Sequence, residues 1–126
     1  MQASILVAIA AAGALGSVCR YLLSELIVSW CGTFPLHTLV VNVTGCLLFG
    51  VAWGIGTGRW PAIVSLTVLV GFFGGFTTFS SFASDCVLLG QARRFPALAL
   101  DLLAHNVVGC LAMWGGMAFG GWVAAD

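Results

Sequence analysis

From Ala62 to Gly90 the chain carries one charged side chain, Asp85, in an otherwise apolar stretch long enough to cross a bilayer. Three further stretches behave alike: about Ala3–Ser29, His37–Gly56 and Phe95–Val123. A span needs roughly 20 apolar residues, so four fit. Only 6% of residues are charged and 61% are hydrophobic, against about 25% charged in soluble domains. Such a chain cannot cover a water-facing surface with polar groups. The sequence therefore predicts an all-α membrane protein of four transmembrane helices, one domain over residues 1–126. A lipid bilayer is its solvent, and its formal net charge of zero argues against a nucleic-acid partner.

The apolar start "MQASILVAIAAAGALG" lacks a positive leader and runs on past Arg20, so it reads as the first span and not as a signal peptide. The connections "WCGTFPL", "TGRWP" and "QARRF" are short, which predicts antiparallel neighbours. The five cysteines, Cys19, Cys31, Cys46, Cys86 and Cys110, show no metal-ligand spacing and read as small buried apolar side chains. Gly50, Gly54 and Gly58 recur every four residues, as do Gly116 and Gly120; such faces let helix backbones approach closely in lipid. Orientation is weakly specified. Arg59 lies on one side, while Arg93, Arg94 and late-span Arg20 weight the other. A thin four-helix bundle with this near-balance permits an antiparallel homodimer.

Polar residues at membrane depth are expensive and usually have a role. Asn42 sits within span two, with two N–H donors and an acceptor for either a helix-to-helix hydrogen bond or a solute. Thr38 and Thr44 read as helix back-bonders. In span three, "GFFGGFTTFSSFASD" places Gly74 and Gly75 before Thr77 and Thr78, which predicts a helix broken near its middle. Unwound backbone at that depth survives only against protein or a cavity. Its carbonyls can hold a cation, and the N–H groups of the restarting helix favour an anion. Ser80 and Ser81 add hydroxyl donors. Phe79 and Phe82 share a face; their role is core packing or, through positive ring edges, weak solvation of an anion. In span four, Asp101 and His105 are spaced to pair, and Asn106 lies beside them, as a polar track or a helix seam. Arg20 either snorkels to the interface or draws anions at a vestibule.

Four motifs in order resemble the Fluc/CrcB family of small fluoride channels over nearly the whole chain. "GALGSVCRYLL" carries Arg20, "TLVVNVTGCLLFG" carries Asn42, "GFFGGFTTFSSF" is similar to the family's GFxGGxTTFSTF, and "NVVGCLAM" carries Asn106. The resemblance implies an antiparallel, dual-topology homodimer in the cell inner (plasma) membrane. Each of its two pores passes fluoride passively outward. By motif, Asn42, Phe79, Phe82 and Asn106 match pore positions, with the hydroxyls of Ser80 and Ser81 in the same segment. Gly74 and Thr77 match the break whose carbonyls hold a central structural Na+. Ser81 stands where threonine is usual, Leu102 where a polar residue is common, and His37 where glycine usually precedes Thr38. Asp101 would repel anions from a pore, so it is expected to face an end or a partner.

Two other readings bear weighing. A proton-coupled multidrug exporter of this size needs a central carboxylate in span one, which offers only Glu25 near its end. A non-transporting anchor subunit would show paired mid-span histidines or a long interaction loop. An enzyme would need a nucleophile and base, and Asp101 and His105 lack a third member.

Overall fold

The computed structural model describes residues 3–30 and 35–125. All regular structure among them is helical. The first loop, "WCGTFPL", lies largely outside the described residues, as does Cys31. Helix α1 spans Ala3–Val28 and α2 spans Leu36–Gly56. Span three divides into α3, residues 62–76, and α4, Phe79–Gln91. Span four is α5, Phe95–Ala125. The four spans are each long and apolar enough to cross a membrane, and they match the sequence-derived boundaries to within two residues at every end.

Two helices contain wide π-turns. α3 is π-helical at Leu66–Phe72, and α5 at Ala104–Val108. Such turns often accompany functional sites; in α5 the turn carries His105 and Asn106. Pro96 opens α5, where a missing N–H does no harm. At the other end of the connecting turn, Arg93 adopts φ 54°, and Arg94 N–H donates to the Leu89 carbonyl at 2.9 Å, closing α4.

Lipid tails are as apolar as leucine, so helix association here rests on close contact and not on excluded water. Glycine provides it at two seams. A methyl group on Gly50 would overlap the Met113 carbonyl, and one on Gly116 the Leu47 carbonyl. Gly54 and Gly120 interlock with α5 and α2 in the same way. Gly58 does not extend this stripe. It sits past the helix end at φ 72°, in a turn with open space around it. The second seam joins α1 to α3: Gly16 meets the Phe72 carbonyl, and Gly75 meets Gly13.

The buried apolar core is small: Val41, Phe73, Phe76, Phe82 and Leu89. Phe73 stands edge-on to both Phe49 and Phe72. Large apolar side chains cover the outside, among them Trp114, Trp122 and Phe79. The cysteines depart from expectation, since Cys110 is exposed and Cys19, Cys46 and Cys86 are only half-buried. In lipid a thiol needs no burial in protein. Thr38 departs too. Its buried Oγ1 has no hydrogen-bond partner among the described residues, so it is not back-bonded to its helix.

Candidate functional site

The break in span three occurs at Thr77 and Thr78, both extended (ψ 153° and 112°). Gly74 and Gly75, expected to unwind, remain helical. Gly75 is instead the contact with α1, and Gly74 faces open space, with no atom near its missing methyl. Thr77 N–H still donates to the Phe73 carbonyl at 3.0 Å, and the chain unwinds after it because Asn42 takes over the hydrogen bond of the next N–H. Thr78 N–H donates to Asn42 Oδ1 at 2.9 Å, and Asn42 Nδ2 donates to the Thr78 carbonyl at 3.1 Å. One amide thus satisfies both backbone groups of one residue across two helices. Thr78 Oγ1 then accepts from Ser81 N–H at 3.3 Å, capping α4. Thr77 Oγ1 donates to the Phe73 carbonyl at 2.9 Å, closing α3.

The rearrangement has a second consequence. In a continuous helix Thr78 N–H would serve the Gly74 carbonyl and Ser81 N–H the Thr77 carbonyl. Both donors are engaged elsewhere, so these two carbonyls leave the helical ladder. Hard oxygen donors of this kind are what an alkali cation binds at broken membrane helices.

Two clefts flank the break. The first, about 380 Å³, is lined by Asn42, Thr77, Phe79, Phe82, His105 and Asn106, with apolar neighbours including Phe49 and Met113. It gathers four of the sequence-predicted pore residues from three spans. Phe79 and Phe82 meet edge to face, centroids 5.7 Å apart. Their situations differ sharply: Phe79 is 79% exposed and Phe82 is 9% exposed. Asn106 Nδ2 donates to the Leu102 carbonyl at 2.7 Å, which leaves one amide N–H and the amide oxygen for other partners. The second cleft, about 420 Å³, holds Arg20, Glu25, His37, Thr38, Ser80 and Ser81. The serines therefore do not join the phenylalanines; they line the side of the break that Arg20 occupies. Thr78 lines both clefts, and its Oγ1 lies 3.0 Å from Ser80 Oγ and 3.3 Å from Ser81 Oγ.

Two contributors were missing from the sequence-derived site. Thr78 is the pivot of the break, although the threonine pair itself was legible. His105 packs against Phe82 with centroids 4.2 Å apart. Its spacing from Asp101 signalled a pair, and the pair forms: Nδ1 lies 3.1 Å from Asp101 Oδ1. That contact is poorly aligned for a hydrogen bond, and Nδ1 also lies 3.1 Å from the Asp101 main-chain carbonyl. Asp101 is fully buried, with Cys86 Sγ 3.8 Å from its Oδ2. It does not front either cleft.

Comparison with known proteins agrees with this architecture. Residues 7–117 match the model of the CrcB-like protein, Camphor Resistance (CrcB) family. The chain is 43% identical over 111 residues to the fluoride-specific ion channel FluC 2 of Symbiobacterium thermophilum, covering 86% of this chain and 90% of the relative. It is 41% identical over 112 residues to the fluoride-specific ion channel FluC of Nitratidesulfovibrio vulgaris, covering 86% and 90%. Over 120 residues it is 38% identical to that of Nitrobacter winogradskyi, covering 93% and 95%. Four membrane-length helices, a break pinned by an asparagine and a match across most of the chain identify this multi-pass membrane protein as a member of the CrcB family.

Proposed function

We propose that the protein is a fluoride channel of the cell inner membrane, passing the ion outward without coupling, as two antiparallel copies with two pores. The observation that carries this reading is the first cleft, where Asn42, Asn106 and the Phe79–Phe82 pair converge beside an interrupted helix.

Fluoride is small and tightly hydrated, so a pore must replace water with donors yet release the ion. Conduction demands several weak partners and no deep well. The cleft offers amide N–H groups and aromatic rims, whose edges are positive. Arg20, beside Ser80 and Ser81, raises the local anion concentration from the second cleft without standing between the phenylalanines. Asn42 has a double assignment: it holds Thr78 and keeps one N–H for the ion.

The donor set at the break fits a bound Na+, which the Gly74 and Thr77 carbonyls would hold together with those of a second copy. When bound, the ion supplies a fixed positive charge that joins two copies and offsets the penalty for anions in the protein. The exposed apolar exterior, including Gly74's open surroundings, suits a mate as well as lipid. Purified protein in liposomes, with fluoride release read by electrode, tests the function. Cross-linking in the same vesicles tests the dimer.

The multidrug-exporter reading loses ground: Glu25, the only carboxylate of span one, is exposed near the helix end, away from the first cleft.

A further inference from the structure

Resting on the channel reading, we propose that His105 is a charge-bearing positioning residue for the permeating anion, so that fluoride passage is proton-dependent. Its imidazole is 7% exposed, and its ring lies against Phe82 with centroids 4.2 Å apart and planes 35° apart. A cation within about 6 Å of an aromatic centroid is attracted to the ring, which it holds in place. The same cation brings positive charge to the wall of the cleft that Phe79 and Asn42 share.

The hydrogen-bond pattern decides what changes on titration. Nδ1 faces the Asp101 main-chain carbonyl, an acceptor, so it carries a hydrogen in either state. Nε2 is buried without a hydrogen-bond partner among the described residues, and its hydrogen is the one gained or lost. With that hydrogen, the imidazolium balances the Asp101 carboxylate. Without it, the pair leaves one uncompensated negative charge behind Phe82, and the wall of the cleft opposes anions. The other titratable groups around the pair are Asp85 and Cys86 of α4, which act on Asp101, and Cys46 of α2, which lines the same cleft. Asp85 adds to the negative side, which makes the histidine proton the balancing charge.

The test is fluoride efflux from liposomes holding the full-length protein, swept from about pH 5 to about pH 8, the range in which imidazoles commonly change charge. Leak from protein-free vesicles is subtracted. Removing one positive charge from the wall of the cleft should slow wild-type efflux at least about tenfold from the acidic to the alkaline end. His105→Gln, polar but without a titrating proton, should flatten the profile. On the unmodified protein, the His105 ring resonance, told apart from that of His37 by a His37→Gln sample, should titrate across the interval in which efflux falls. A flat wild-type profile, an equally steep His105→Gln profile, or a ring that does not titrate there would each overturn the inference while leaving the channel intact. Wild-type vesicles that release no fluoride at any pH overturn the channel reading and this inference with it.

Discussion

Replacing Asn42 with Ala should release the break in span three. The amide makes two hydrogen bonds to Thr78, at 2.9 and 3.1 Å. Interhelical hydrogen bonds in membranes contribute only about 0.6 kcal/mol each on average, which sets a floor near 1 kcal/mol. The loss here is larger, because Thr78 N–H has left the helical ladder and would stay unsatisfied, at about 1–3 kcal/mol for a stranded group, whereas the Thr78 carbonyl, at the N-cap of α4, keeps its place at the start of that helix. We expect a loss of about 2–4 kcal/mol. Asn42→Asp sharpens the test. Its carboxylate can accept from Thr78 N–H but sets oxygen against the Thr78 carbonyl, and it adds negative charge to the first cleft. Unfolding in detergent, followed by tryptophan fluorescence, measures the stability; liposome efflux measures the passage of fluoride. Both variants should unfold earlier, and Asn42→Asp should conduct less than Asn42→Ala. Wild-type stability and efflux in both would refute the claim that this amide holds the break.

The remaining predictions use the contrasts between neighbouring residues. Phe79→Ile should reduce efflux at least about tenfold with unfolding unchanged, because the ring is exposed; Phe82→Ile should reduce both, because that ring is buried against His105. Equal stability losses in the two would place Phe79 in the packing and not the pathway. Gly116→Ala should destabilise by about 2 kcal/mol or more, since its methyl meets the Leu47 carbonyl, while Gly121→Ala, with open space around it, should unfold like wild type. Arg20→Gln should slow efflux most at low ionic strength; an effect independent of salt would contradict long-range attraction.

Reading the chain alone recovered its four spans because lipid imposes a length and an apolar composition that leave few alternatives. It recovered the break as well, with Thr77 and Thr78 in it, but assigned the unwinding to the two glycines before them. Glycine freedom drew attention to Gly74 and Gly75, whereas the backbone opens where Asn42 offers Thr78 a substitute ladder. That bond joins residues 36 apart in sequence, and local propensity carries no trace of it. Gly58 misled in a similar manner, its spacing continuing a stripe that the helix end had already cut off. The division of the polar residues was hidden too. Ser80 and Ser81 follow Phe79 directly, yet the restarted helix turns them towards Arg20. His105 was legible as Asp101's partner, while its contact with Phe82 depends on how α4 and α5 pack.

The most direct measurement of the central claim is fluoride released from liposomes loaded with sodium fluoride and reconstituted with purified wild-type protein, with chloride followed in parallel. The account predicts rapid fluoride release that protein-free vesicles lack, with chloride retained. Fluoride held inside by vesicles containing folded protein would contradict it.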